Sequence, residues 1–595
     1  MRKDLIIGMA GSGGDGIVSA GESLIAAAAE QGHSAMLTKS FGSQIRGGES
    51  SFRLRVATVP VLNPGGELNV AVALNWLDFL RFGPELPLDR ATLLIHEANS
   101  GPPPPAMLGG GGPTQVHAVP LEEMAVAATG SDQAKNSVVL GLVAGWFGFG
   151  AEAIRGGIRR RFAKKGEAVL LGNERAFTAG WEYAAARPLG EDWKLAPGRP
   201  GSGRIIREGN AVCAEAALFA GCKFFGGYPI TPATEIMQIL QKEIWKHGGA
   251  LLQAEDEIAG IGAAIGASFA GRKAMTATSG PGFSLKAEML GLASTAELPL
   301  VCVNVQRGGP STGLPTKREQ SDLFAAAFSA HGDSVRPVLA PTGVADTFAV
   351  TVEAFNIAEA YQTPVIVLSD QEIAQRKEVI APVDTTRLRV IDRLQPTAEE
   401  LQPYARFRLT PSGISPLSHP GMKGGSYLAA GIEHDELGAP NSNGAMHAQM
   451  NEKRLRKLEP LKRRADLFAI EGDAEAALGL IAWGSVAGIA REAAAAALAE
   501  GIPVKVLVPT LLYPVAEEIY RGFFAGLDRC LVIEQSQQGQ LYRILRMWTR
   551  VPENFILLAK SGANPIAPRE VLEQIRRLAG GAAAAVPSPL ATFAL

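Results

Sequence analysis

With 595 residues, 57 Lys and Arg against 59 Asp and Glu, and a formal net charge of −2, the chain has room for roughly three or four domains at ~150 residues each and lacks the basic field that holds nucleic acid. Its four cysteines, Cys213, Cys222, Cys302 and Cys530, show no CxxC spacing, which excludes a locally encoded zinc or four-cysteine iron–sulfur site and fits a reducing cytoplasm. The apolar stretches 138–150 and 476–490 are shorter than the ~20 residues that cross a bilayer, and the apolar run after Met1 breaks into glycines too soon for a signal peptide, so neither membrane insertion nor export is expected.

In chain order, apolar runs at 5–9, 69–74 and 91–95 alternate with a helical pattern at 17–30, and residues 1–186 read as an α/β domain on a parallel sheet. Gly11-Ser12-Gly13-Gly14-Asp15-Gly16 follows the first strand in the GxGxxG pattern, in which Gly11 and Gly13 free backbone N–H groups for a phosphate. The acid that a nicotinamide dinucleotide requires about 20 residues on is absent from Ser34–Ser40, so an NAD-linked oxidoreductase is the weaker reading. Gly14-Asp15-Gly16 also opens like a thiamine diphosphate metal motif, but its asparagine pair is missing from 41–46, and no metal ligand is assigned to this chain. Residues 39–50 place Ser40, Ser43 and Arg46 in a glycine-rich stretch that suits either an anion site or a plain turn.

The Pro- and Gly-rich residues 187–203 read as a linker. A second α/β domain over 204–385 carries continuous apolar runs at 298–305 and 364–369, as strands buried on both faces do. Residues 386–465 form an irregular insertion with a basic helix around 452–464, either packed on a neighbour or solvated. A third α/β unit over 466–580 has strands at 480–484, 504–508 and 530–534, and an Ala-rich tail follows at 581–595. The expected class is α/β with several doubly wound domains.

Four motifs in the second domain fall at predicted sheet ends, where open α/β sheets bind ligands. In Tyr228-Pro229-Ile230-Thr231-Pro232, the two prolines hold Thr231 near the N-cap of a helix, either as an ordinary cap or beside a bound anion. Glu255-Asp256-Glu257 opens a helix with almost no polar face, which predicts burial and a carboxylate at the edge of a dry site. Thr278-Ser279-Gly280-Pro281-Gly282 is a hydroxyl and glycine loop. Arg307 ends the strand at 300–305, and its guanidinium can clamp a carboxylate with two parallel hydrogen bonds.

Together with Gln306–Thr316, Glu433–Gly438 and Ile533–Leu541, these motifs closely resemble the α subunit of 2-oxoacid:ferredoxin oxidoreductases with a γ domain fused in front. The resemblance implies thiamine diphosphate with Mg2+ shared with a β subunit, which carries the metal motif and a [4Fe-4S] cluster. It further implies oxidative decarboxylation of a 2-oxo acid with coenzyme A, electrons passing singly to ferredoxin, and reversal toward CO2 fixation with a strong enough reductant. Glu257 is then the glutamate that hydrogen-bonds N1′ of the aminopyrimidine. Thr231 and Arg307 hold the C1 carboxylate, while Tyr228, Pro229, Ile230, Ser279 and Gly280 line the cofactor, with Gly11 and Gly13 as further phosphate contacts. Ser40, Ser43 and Arg46 are candidates for the distal end of the substrate or coenzyme A. The γ–α fusion favours 2-oxoglutarate, giving succinyl-CoA; a pyruvate or broad-range enzyme is the alternative, and a non-catalytic scaffold the least favoured.

Overall fold

The computed structural model describes residues 1–12, 16–42, 48–108, 111–201, 203–334, 336–562 and 565–580. They form two compact units, one holding Met1–Glu208 with Gln375–Pro382 and a short piece near residue 566, the other Gly209–Ala374 with Val383–Gly562 and the described residues from Pro568 on. Among the described residues no helix is long and apolar enough to cross a membrane.

The first unit is built on an eight-stranded sheet in the order Gln115–Val119, Leu93–Glu97, Val70–Ala73, Asp4–Gly11, Ser50–Ala57, Ser34–Phe41, Lys377–Ile380, Ile205–Glu208. The expectation of a parallel sheet holds for the first four only. Ser34–Phe41 and Ser50–Ala57 form an antiparallel hairpin lying between the first strand and the distant segment Lys377–Ile380. The hairpin places Ser40 inside a strand, opposite Ser51 and 6% exposed, and not in a loop, because the antiparallel pairing with Ser50–Ala57 continues through Phe41. Both ends of the stretch read as 204–385, Ile205–Glu208 and Lys377–Ile380, pair antiparallel with each other in this sheet. The Pro/Gly segment before them is fastened down. Trp193 and Leu195 join the first core, Arg2 stacks over the Trp193 ring at 4.1 Å, and Arg2 and Leu195 form a bridge.

The second unit contains two sheets. One runs Leu511–Tyr513, Val338–Leu339, Pro364–Asp370, Leu300–Gln306, Ala274–Thr278, Phe224–Gly227, Ala250–Gln253, parallel except for its first strand. The other runs Phe468–Gly472, Lys505–Pro509, Leu478–Ala482, Arg529–Glu534, Asn554–Ala559, parallel except for its edge strand. Strand Leu300–Gln306 is buried at every position, which is why its sequence is apolar from Leu300 to Val303 with no alternation and turns polar, at Asn304 and Gln306, only toward its carboxyl end. One core joins the two sheets, with Ile261, Leu300 and Ile366 packed in the same cluster as Trp483, Leu507 and Val532.

The insertion carries the helix Gly444–Arg456, beginning eight residues before the basic helix read from sequence because Asn443 caps it through the backbone N–H groups of Ala445 and Met446. Two of the cations at its end, Lys453 and Lys457, are buried and not solvated. Lys453 Nζ lies 2.5 Å and Lys457 Nζ 3.1 Å from the carboxylate of the fully buried Glu297, and Arg406 donates to the Glu297 carbonyl at 2.7 Å. Three cations from the insertion thus converge on one acid of the second domain, and they hold Glu297 well below the usual carboxylate range against the opposing effect of burial.

Candidate active site

Four adjacent parallel strands end at one edge, and each delivers one motif: Phe224–Gly227 leads to Thr231, Ala250–Gln253 to Glu257, Ala274–Thr278 to Ser279, and Leu300–Gln306 to Arg307. Strand adjacency therefore gathers residues that are scattered over some 80 positions of sequence.

Thr231 is not an N-cap. The Ala233 N–H donates to the Ile230 carbonyl at 2.8 Å, so residues 230–233 close a turn and the helix starts at Thr234, with Ala233 as its cap. Freed from the helix end, the Thr231 carbonyl accepts a hydrogen bond from Arg307 Nη1 at 2.5 Å. Tyr228 is 41% exposed, while Pro229 and Ile230 are half-buried beside it.

Of the three acids at 255–257, Glu255 is exposed. Asp256 caps the helix, accepting from the Ala259 N–H at 2.8 Å. Glu257 turns inward and is 8% exposed; its carboxylate accepts no hydrogen bond among the described residues. Behind it the fully buried Lys286 donates to the Glu257 carbonyl at 2.8 Å, and burial pushes that ammonium below its ordinary value. The helix Glu257–Phe269 is open on one side, contrary to the expected full burial. Ile258 is 44% exposed, and side chains added at Gly262 or Gly266 would meet open space. Small residues there leave an apolar stripe uncovered within this chain.

The stretch read as a loop after Thr278 is a short helix, Gly280–Leu285, with Pro281 in its first turn, a position proline favours. Gly282 is required: a Cβ there would stand 2.8 Å from Glu257 Oε1 and 2.2 Å from Thr278 Oγ1. Ser279 is fully buried with an unpaired hydroxyl, and Thr276 Oγ1 is also unpaired.

Arg307 is 6% exposed, makes no ion pair among the described residues, and leaves Nε buried without a partner. Burial pushes the guanidinium below its ordinary value, and the charge of Asp322, in no direct ion pair with it, offsets this only in part. Sequence reasoning missed Asp322, whose Oδ2 accepts from Asn304 Nδ2 at 3.0 Å and stands 3.1 Å from where a Gly280 side chain would begin. An acid fifteen residues beyond Arg307, in Glu319-Gln320-Ser321-Asp322, was the available signal. The 533–541 motif supports this loop. Glu534, fully buried, accepts from the Leu541 and Tyr542 N–H groups and from Trp483 Nε1. Gln535 and Gln540 bind the backbone and side chains of residues 320–324.

In the first unit, Gly11 ends its strand opposite Ser50, and Ser12 Oγ donates to Asp78 at 2.5 Å. Gly13, Ser43 and Arg46 lie outside the described residues.

A cation in no direct ion pair among the described residues and a carboxylate without a donor, both at the carboxyl edge of a parallel sheet, define an α/β crevice for an anionic ligand and a hydrogen-bond-donating group. Family models match over residues 215–453, described as pyruvate flavodoxin/ferredoxin oxidoreductase, thiamine diphosphate-binding, and over 6–183, described as pyruvate ferredoxin/flavodoxin oxidoreductase. The chain belongs to the 2-oxoacid:ferredoxin oxidoreductase family. It is 34% identical over 539 residues to the 2-oxoglutarate oxidoreductase subunit KorA of Mycobacterium tuberculosis, covering 84% of this chain and 81% of that one. It is 35% identical over 366 residues to the 2-oxoglutarate synthase subunit KorA of Methanocaldococcus jannaschii, covering 61% of this chain and 97% of that one. The 2-oxoglutarate:ferredoxin oxidoreductase of Magnetococcus marinus, solved with 2-oxoglutarate, coenzyme A and succinyl-CoA bound, superposes with a TM-score of 0.91 at 36% identity, over 97% of this chain and 100% of that one.

Proposed function

We propose that the chain is the fused γ–α subunit of a 2-oxoglutarate:ferredoxin oxidoreductase, which decarboxylates 2-oxoglutarate with coenzyme A to succinyl-CoA and CO2 and passes the electrons to ferredoxin. A β subunit supplies the Mg2+-diphosphate motif and a [4Fe-4S] cluster, in keeping with the absence of both motifs from this sequence. The observation that carries the reading is the unpaired Arg307 beside Thr231 on the same sheet edge as the unpaired Glu257. The KorA relatives and the near-complete superposition on an enzyme with 2-oxoglutarate bound support the choice of substrate.

The residues present suit thiamine diphosphate: a buried carboxylate lacks a donor, and Gly282 clears the space next to it. When bound, the cofactor supplies the carbon nucleophile and the electron sink for loss of CO2. Glu257 holds a proton at N1′ of the pyrimidine, a role typically worth roughly 10²- to 10⁴-fold in rate. Lys286 and the Asp256 cap fix the helix end that carries it. Arg307, with its carbonyl anchor on Thr231, orients the C1 carboxylate of the oxo acid. Supplied with a strong enough reductant, the same sites serve the reverse, CO2-fixing direction.

The test is anaerobic reduction of ferredoxin or viologen by the chain co-purified with its β subunit, with thiamine diphosphate, Mg2+ and coenzyme A, comparing 2-oxoglutarate with pyruvate. A strong preference for 2-oxoglutarate is expected. Preference for pyruvate, the substrate in the family description, would favour the second reading, and no coenzyme A-dependent reduction with either acid would overturn the assignment.

A further inference from the structure

The loop after Arg307 returns to the site and is held from both sides. The Asp322 N–H donates to Gln306 Oε1 at 3.1 Å, and its Oδ2 accepts from Asn304 Nδ2 at 3.0 Å. From the third sheet, the Gln320 N–H donates to the Gln535 carbonyl at 2.7 Å and the Gln535 N–H returns to the Gln320 side chain at 2.8 Å. Gln540 bonds the Ser321 carbonyl at 2.7 Å and the Phe324 N–H at 2.8 Å. A carboxyl group is thereby fixed over the end of the strand that leads into Arg307. Asp322 Oδ1 has no partner among the described residues, and Arg307 Nε, Ser279 Oγ and Asn304 Oδ1 are buried and unpaired. Two tethers on Asp322, its own unpaired Oδ1 and three unpaired polar groups around it describe a site prepared for a further ligand atom.

We propose that Asp322 is a second binding residue for the carboxylate taken by Arg307, donating a hydrogen bond to it as the neutral acid and repelling it as the carboxylate; this rests on the reading of Arg307 as the substrate's anion site. Burial raises the Asp322 carboxyl to about 6, with Asn304 and Arg307 pulling it down and Glu319 pushing it up. The charged groups acting on it are Arg307 from the strand end and Glu319 from its own loop. Glu319 is occupied by Ser321 Oγ and by the Gly309 and Gly562 N–H groups. The sign follows: below about pH 6 the neutral Asp322 adds a donor and no charge beside Arg307, and as pH rises through that value the ionised Asp322 competes with the incoming carboxylate for the same guanidinium.

The experiment measures the dissociation constant of N-oxalylglycine, an unreactive isostere of 2-oxoglutarate, by anaerobic calorimetry on the cofactor-loaded complex of this chain with its β subunit, from pH 5.5 to 8. The carboxylates of the probe are ionised throughout, so they add no slope. In the wild type the dissociation constant should rise about tenfold or more over this range. Asp322→Asn, which keeps an acceptor for Asn304, should flatten the change to under about threefold and bind more tightly than wild type at pH 8. Asn304→Ala removes the donor that favours the ionised form and should move the midpoint to higher pH, a second readout if Asp322→Asn proves unstable. A wild-type slope retained in Asp322→Asn overturns the proposal. Arg307→Met separates the two failures: if it leaves binding unchanged, the anion-site reading falls and this proposal with it, whereas a tenfold or greater loss there with an unaltered slope in Asp322→Asn sinks the Asp322 assignment alone.

Discussion

Replacing Arg307 by methionine should weaken substrate binding while leaving the stability of the ligand-free protein within about 2 kcal/mol of the wild type. The change gives up one hydrogen bond, from Nη1 to the Thr231 carbonyl at 2.5 Å, worth about 1.5–3 kcal/mol for a charged donor. It also removes a buried, unpaired Nε and a guanidinium 6% exposed with no ion pair. Relief of the orphan donor recovers about 1–3 kcal/mol, while loss of the attraction to Asp322 offsets the gain from no longer burying the charge. These terms cancel to within about 2 kcal/mol in either direction, or about 4 °C in melting temperature for a unit of this size. Substrate loses a two-pronged charge-assisted contact of about 3 kcal/mol or more, roughly 10²-fold in affinity. Differential scanning fluorimetry of the complex with and without N-oxalylglycine reads both: wild type should melt higher with the ligand, and Arg307→Met should melt at the same temperature either way. A variant that melts more than about 5 °C below wild type, or that keeps its KM for 2-oxoglutarate within threefold, would refute the reasoning.

Three further changes test neighbouring parts of the structure. Glu257→Gln should cut turnover by at least about 10²-fold while the complex still elutes as assembled; near-normal turnover would leave the chain as a scaffold. Gly282→Ala places a methyl 2.8 Å from Glu257 Oε1 and 2.2 Å from Thr278 Oγ1, so it should lower kcat by at least tenfold with Glu257 unchanged in sequence, and an active variant would show that this gap is not needed. Glu297→Gln strands Lys453, Lys457 and Arg406 in the interior, a loss of about 3–5 kcal/mol that protease cleavage within 386–465 should reveal. Because burial already lowers Lys453 to about 8, the folded variant sheds that proton at lower pH than the unfolded chain does, so its deficit should shrink as pH is raised from 7 toward 10; a deficit that grows over that range would contradict the buried cluster.

By itself the sequence determined the strands whose environment is uniform. Leu300–Gln306 and Pro364–Asp370 are apolar up to their carboxyl ends because both faces are covered, and the helix Ile17–Glu30 shows a period that needs no partner to be read. It also determined which residue types stand at the sheet ends, since Pro-, Gly- and acid-rich motifs break the periodic pattern where chemistry is placed. Long-range pairing was decided only by the tertiary structure. Lys377–Ile380 is four residues long and joins a sheet whose other strands, apart from Ile205–Glu208, lie more than 250 positions earlier, and so short a segment carries no register of its own. The turn that removes Thr231 from the helix and turns its carbonyl to Arg307, the inward cations of the insertion, and the return of Asp322 to the site likewise depend on contacts between segments distant in sequence. Local propensity does not encode such contacts, because the free energy that selects them comes from burial and from pairing polar groups that meet only after the chain has folded.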